Sequence, residues 1–199
     1  MEFYRQTSRI PPRKVGILAG SFNPPTIAHL ELALAAGASV DLIVFVVPRA
    51  FPHKDYSGAT LQQRLEMLNA FSLPSPHAIA TTRQGLFIDI AREFREHYGA
   101  QIQLCFLCGR DAAERILDWD YGRAGVVAEM LSEFELLVAP RGGHLSPPEE
   151  FRHRIHTLNI REGHAGVSST EVRERIARGE PWEQLVPESI RERVREIYS

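Results

Sequence analysis

The sequence predicts an α/β fold, a parallel sheet with helices on both faces. Three observations predict it. Short apolar runs alternate with longer stretches whose apolar residues recur at helical spacing. The run at 40–47, VDLIVFVV, is a near-continuous β-branched segment of the kind that forms a strand covered on both sides. Glycines stand just past several of the helical stretches, where helices end. Strands alternating with helices build a parallel sheet, and ligands then gather at the carboxyl ends of its strands, where the chain order reverses.

The elements follow in order. Residues 15–19 form a first strand ending at Gly20. Thr26 is an N-cap candidate for IAHLELALAA, which Gly37 stops. After the strand at 40–47, Thr60 and Gln63 form a capping box that opens TLQQRLEMLNAF. Residues 78–82 read as a strand, 87–98 as a helix closed by Gly99, and 102–108 as a strand. Residues 112–117 and 124–131 are helical, 134–139 is a fifth strand, and 156–160 is a candidate sixth. A C-terminal helical segment follows, with a helix at 168–178 ended by Gly179 and an amphipathic helix at about 188–197. Residues 141–150, RGGHLSPPEE, are the most loop-like internal stretch, and no linker is long enough to separate domains, so residues 1–199 are expected to form a single domain.

Composition narrows the function. The apolar share of 44% and charged share of 24% are those of an ordinary globular chain, large enough for one well-filled core. A formal charge of −2 argues against a broad nucleic-acid footprint, so any phosphate site must be local. No run approaches the roughly 20 apolar residues that span a bilayer. Residues 1–13 read as a lead-in arm without the apolar core of a secretory signal, and a cytoplasmic location is the expectation. A homo-oligomer is compatible with these features. The two cysteines, Cys105 and Cys108, could be a redox or metal pair, but they lie three apart in a strand-like run, on opposite faces, and are read as core.

The most telling segment is residues 16–30. Gly20 permits a tight turn after the first strand, while Pro24 and Pro25 stiffen the approach to the helix. Loop amides and the positive end of the helix suit an anion. Thr26 and His29, three apart, share a face of the first helical turn and are expected to point at that anion. Thr26 could instead simply cap the helix, and His29 could be structural. The GxGxxG spacing of a dinucleotide fingerprint is absent.

Here GSFNPPTIAH resembles the phosphate-binding signature of the nucleotidyltransferase superfamily, G-[ST]-F-x-P-x-[HT]-x-G-H, with Thr26 in the first position of the HxGH element and Ala28 where glycine is usual. Three further blocks are similar to bacterial nicotinate-nucleotide adenylyltransferases and occur in that family's order: Pro52-His53-Lys54 with Arg64-Leu65-Glu66-Met67-Leu68, Gly109-Arg110-Asp111 with Trp119, and Val167-Ser168-Ser169-Thr170 with Arg173. Read without the resemblance, Lys54 could be a solvated loop lysine and Arg64 a salt-bridging helix residue. Asp111 could cap a helix, Trp119 could fill a core gap, and Ser168 with Glu171 could be a capping box. Phe87 and Ile88 stand where the family usually carries a Tyr-Thr pair.

The resemblance implies a Rossmann-like fold and transfer of the adenylyl group of ATP to nicotinate mononucleotide, with Mg²⁺ arriving on ATP and no metal held by the protein. It implies catalytic roles for His29, Thr26, Lys54 and Arg173. It places Gly20, Ser21, Phe22, His29, Gly109, Asp111, Ser168, Ser169, Thr170 and Arg173 around ATP, and Lys54, Phe87 and Trp119 around the acceptor. Another small phosphate acceptor (nicotinamide mononucleotide or phosphopantetheine) and a non-catalytic nucleotide-binding relative are the alternatives.

Overall fold

The computed structural model of the chain describes residues 1–7, 10–50, 58–140, 146–161, 163–164 and 166–199. Its strands are β1 Glu2–Gln6, β2 Lys14–Ala19, β3 Leu42–Pro48, β4 His77–Thr82, β5 Gln103–Gly109, β6 Glu135–Ala139 and β7 Ile155–Thr157. They form one sheet in the order β1-β4-β3-β2-β5-β6-β7. Every pairing from β4 across to β7 is parallel, and β1 joins the edge antiparallel to β4. The helices are α1 Ile27–Ala36, α2 Leu61–Asn69, α3 Phe87–Tyr98, α4 Arg110–Asp118, α5 Val126–Glu133, α6 Ser169–Ala177 and α7 Arg191–Tyr198.

Alternation along β3 explains the layering. Ile43, Phe45 and Val47 pack into the core layer that holds α1, α2, α6 and α7, while Leu42, Val44 and Val46 pack against α3, α4 and α5. Each such side chain contributes about 1.5–3 kcal/mol on full burial, so a one-residue slip of β3 would exchange the two faces. Cys105 belongs to the first layer and Cys108 to the second, both buried and unbridged, which fits their reading as core residues.

The structure corrects some local expectations. Residues 2–6, read as part of a lead-in arm, form an edge strand because β4 offers an open edge, with Phe3 opposite Ala80 and Arg5 opposite Ile79. Gly37 does end α1, but at an ordinary right-handed φ of −57°. A Cβ there would sit 2.3 Å from the Ser75 hydroxyl oxygen, so a side chain at this position would displace Ser75, and no left-handed turn is involved. The strand expected at 156–160 is shorter and begins one residue earlier. Thr60 and Gln63 form the expected capping box. Among the described residues no helix is long and apolar enough to cross a membrane.

Candidate active site

The chain runs from β2 outward to β3 and β4, then returns to place β5 on the other side of β2. The strand order therefore reverses between β2 and β5, and the crevice at their carboxyl ends is where an open α/β sheet takes ligands. A cavity of about 600 Å³ lies there. Leu18 and Ala19 of β2 and Leu107, Cys108 and Gly109 of β5 line its sheet side. Ala28 and His29 on α1, Asp111 and Arg115 on α4, and Ser168, Ser169, Thr170 and Arg173 around the start of α6 complete it, together with Ser21 and Asn23. Three helix N-termini thus border one cavity. Its ionisable lining includes His29, Arg115 and Arg173 against one carboxylate, Asp111, a balance that suits a polyanion.

The first loop holds its shape through its own carbonyls. Arg64, almost fully buried, donates to the Ser21 carbonyl at 3.0 Å and to the Thr60 carbonyl at 3.3 Å. It therefore braces the phosphate-type loop. The turn's unusual backbone is at Phe22, with φ of 49°, and not at Gly20, whose added Cβ would make only ordinary contact with the Phe22 ring at 3.4 Å. Phe22 is fully buried, with its ring centroid 4.9 Å from that of His29 and 6.0 Å from that of Phe45. Gly20 and Phe22 shape the loop without lining the cavity. The Gly20 amide is itself spent on the Val46 carbonyl at 3.0 Å.

Thr26 and His29 share a face of the first turn, as expected, but of the two only His29 lines the cavity. Thr26 is fully buried, its hydroxyl oxygen 2.8 Å from His29 Nδ1, and its backbone N–H donates to the same nitrogen at 3.0 Å. An amide can only donate, so Nδ1 must be the acceptor, and the proton of the neutral ring resides on Nε2. Thr26 thereby orients an imidazole that reaches the cavity with a donor, while its own hydroxyl is turned away.

The C-terminal segment is stitched onto this loop. Ser169 Oγ donates to the Pro24 carbonyl at 2.7 Å, and Arg173 Nη1 donates to the Asn23 carbonyl at 2.5 Å. Arg173 also reaches the Ser169 carbonyl at 3.2 Å and the Thr170 hydroxyl at 3.4 Å, so the one-turn spacing read from the sequence does bring them to one face. Ser168 caps α6 by accepting from the Glu171 amide at 3.1 Å. The Glu171 carboxylate meanwhile pairs with Arg175 at 2.8 Å, so the reciprocal half of the expected capping box is replaced by an ion pair. Asn23 Oδ1 accepts from the Ala59 amide at 3.0 Å and from the Tyr198 hydroxyl at 2.5 Å. Burial pushes that tyrosine up to about 12, so the hydroxyl stays a donor. Nothing in a single sequence marks Asn23 as the hub of these bonds, because its partners lie 36 and 175 positions away.

A second, mostly apolar cavity of about 400 Å³ adjoins the first. Phe87, stacked on Phe106 with centroids 4.2 Å apart, lines both cavities, and Ile88, Ile116 and Met130 add apolar surface to the second. Trp119 follows α4 at the mouth of the second cavity and is 53% exposed, so it does not fill a core gap. Asp111 does not cap α4 either, since Gly109 occupies that position. Arg115, lining both cavities, was missed by sequence reasoning although its place one turn after Asp111 was a usable signal. Lys54, with Pro52 and His53, lies outside the described residues.

Comparison with known proteins adds the following. Residues 17–175 match the family described as cytidylyltransferase-like. The chain is 32% identical to the "Probable nicotinate-nucleotide adenylyltransferase" of Moorella thermoacetica, over 92% of this chain and 90% of that protein. It is 30% identical to the protein of the same name from Exiguobacterium sibiricum, over 92% of this chain and 96% of the relative. Among solved structures, the Plasmodium falciparum nicotinic acid mononucleotide adenylyltransferase complexed with NaAD superposes with a TM-score of 0.67 at 17% identity, covering 92% of this chain and 95% of that one. The structural likeness bears on the fold, a Rossmann-like sheet with a C-terminal helical region.

Proposed function

The chain belongs to the cytidylyltransferase-like family of the nucleotidyltransferase superfamily and is a nucleotidyltransferase-like enzyme, and from that premise we propose that it transfers the adenylyl group of ATP to nicotinate mononucleotide, giving deamido-NAD and pyrophosphate. One observation carries the reading. Two segments, the loop before α1 and the start of α6, are tied together by Ser169 and Arg173 through bonds spanning 145 and 150 positions, and line one cation-bearing cavity beside an apolar one. The first cavity suits a triphosphate and the second a flat ring.

In the proposed reaction an oxygen of the acceptor's 5′-phosphate attacks the α-phosphorus of ATP in line. A P–O bond forms there, the bond to the bridging oxygen breaks, and pyrophosphate departs with that electron pair. Such transfers need positioning and charge neutralisation rather than a covalent intermediate. His29 Nε2–H donates to the α-phosphate as charge develops, with Thr26 setting the tautomer. Arg173, with the hydroxyls of Ser168, Ser169 and Thr170, neutralises the departing β- and γ-phosphates. Gly109 and Asp111 border the nucleoside side, Ser21 the phosphates, and Phe87 and Trp119 the acceptor ring. Lys54 supplies a further cation to the phosphates.

Mg²⁺ fits this arrangement as an ion carried on ATP. The cavity lining offers Asp111 as its one carboxylate among the described residues, and these contain no cluster of three or more metal-ligating side chains. Octahedral Mg²⁺ is commonly held by one or two carboxylates, phosphates and water, which needs no more from the protein. The ion supplies charge neutralisation on the phosphate oxygens.

The test is pyrophosphate release from ATP and Mg²⁺ with a panel of acceptors. Release with nicotinate mononucleotide is expected. Release with nicotinamide mononucleotide or phosphopantetheine but not with the nicotinate compound would reassign the acceptor, and ATP binding without release for any of them would refute the reaction.

A further inference from the structure

Arg115 contributes to the positive lining of the first cavity but has no step assigned to it above, and its placement is unusual. It sits on α4 one turn after Asp111 and one turn before Trp119, and it lines both the cation-bearing cavity and the apolar one. Its neighbour Arg110 on the same helix is paired with Glu114 at 3.3 Å. The Arg115 guanidinium, in contrast, makes no hydrogen bond or ion pair with any described residue and is exposed. Within the lining of the apolar cavity it is the one charged side chain among the described residues. The Tyr121 hydroxyl in the same lining is already spent on the Ile116 carbonyl at 3.1 Å. A ring entering this cavity thus meets Phe87, Ile88 and Ile116 over most of its surface, with a single uncommitted cation at the boundary with the phosphate cavity.

Resting on the nicotinate mononucleotide reading, we propose that Arg115 is a specificity-determining residue that pairs with the ring carboxylate of the acceptor and so separates the acid from its neutral carboxamide. The chemistry is direct. A guanidinium offers a planar fork of donors that matches a carboxylate, and charge-assisted hydrogen bonds are roughly twice as strong as neutral ones. The carboxamide oxygen can accept from the guanidinium but returns no charge, and its own NH₂ group faces a cation that accepts nothing. The apolar walls sharpen the difference, because a carboxylate leaving water there has one compensating charge within the lining.

The experiment compares wild-type protein, Arg115→Gln and Arg115→Lys, with nicotinate mononucleotide and nicotinamide mononucleotide as acceptors, in steady-state pyrophosphate release. The expected result is an acid-over-amide ratio of kcat/KM that falls about tenfold or more in Arg115→Gln. The fall should come mainly through the KM of the acid, with the KM of ATP unmoved and that of the amide rising much less, and Arg115→Lys should recover part of the ratio. An unchanged ratio in an active Arg115→Gln protein overturns the proposal and leaves the adenylyl-transfer reading standing. An equal rise in KM for both acceptors overturns it by assigning Arg115 to their shared phosphate, and a rise confined to ATP by assigning it to the triphosphate. Wild-type protein that uses neither acceptor overturns the acceptor reading and this proposal together. Melting curves on both variants separate these results from loss of fold.

Discussion

The pairing of Thr26 with His29 predicts a graded effect of two substitutions. His29 Nδ1 is held by two groups of Thr26, its backbone N–H at 3.0 Å and its hydroxyl at 2.8 Å, and this leaves Nε2–H as the donor facing the cavity. Thr26→Val keeps the amide contact and the approximate side-chain volume while removing the hydroxyl. One neutral hydrogen bond is worth about 0.5–1.5 kcal/mol, so if all of it is expressed in the transition state, kcat falls roughly 2- to 10-fold. His29→Ala removes the donor itself, and loss of a donor aimed at developing charge costs on the order of 10²–10³ in rate. Both variants should be assayed for kcat and for the KM of ATP by pyrophosphate release, with a thermal melt of each, since Thr26 is fully buried at the start of α1. The predicted order is wild type, then Thr26→Val, then His29→Ala well below. A Thr26→Val protein as slow as His29→Ala would mean that the hydroxyl acts on the substrate directly. An unaltered His29→Ala rate would remove the imidazole from the chemistry.

Two other predictions concern the scaffold. Burial pushes the thiols of Cys105 and Cys108 up to about 12, so a thiol reagent at pH 8 should label neither in the native protein and both after denaturation; rapid native labelling would reopen the redox-pair reading. Asp41 Oδ2 accepts from the backbone amides of Lys14 and Arg13 at 2.9 Å each, and these bonds hold its carboxyl below the usual range. A lowered folded pKa stabilises fully above the unfolded value of about 3.9 and less as pH falls through the folded value. Asp41→Ala should therefore lower Tm at pH 7 by roughly 2–4 °C, for about 1 kcal/mol after allowing for solvent exposure. The gap should narrow below about pH 4, and a gap that widens in acid would contradict this account.

What the sequence made legible was local. Thr60, Ser168 and Thr26 were readable as helix starts because capping is decided within four residues, and each stands at an N-cap. The buried character of β3 and the opposite facing of Cys105 and Cys108 followed from strand periodicity alone. What was not legible depends on distant partners. Residues 2–6 carry a weak strand pattern and become β1 only because the edge of β4 is open. The buried Arg64 looks like any helix arginine until the Ser21 carbonyl, 43 positions away, is brought beside it. The turn expected at Gly20 lies at Phe22, where no propensity favours positive φ. Trp119 follows α4, and its exposure could not be read from its type.

The Phe22 backbone shows why the two ends of the chain must act together. A left-handed conformation at a bulky residue costs about 1–2 kcal/mol, and it persists only where the surroundings over-determine it. Here burial of the Phe22 ring against Phe45 and His29 offsets part of that cost. The rest of the constraint comes from either side of the turn. Arg64 holds Ser21, Arg173 holds Asn23, Ser169 holds Pro24, and Tyr198 with Ala59 holds the Asn23 side chain. All five groups reach the loop through hydrogen bonds independent of any ligand, so the loop's shape is set before a phosphate arrives. That is preorganisation in the physical sense, because the ordering cost is met on folding rather than on binding. It also means that Arg173 and Ser169 act twice in the proposed reaction, once on the phosphates and once on the loop that faces them. A rate lost on substituting Arg173 therefore contains a term for the shape of the first loop as well as one for charge. Tyr198→Phe, at a residue outside the cavity lining, removes one bond to Asn23 and no cation, and so isolates the shape term: a lower rate with an unchanged melting temperature is expected.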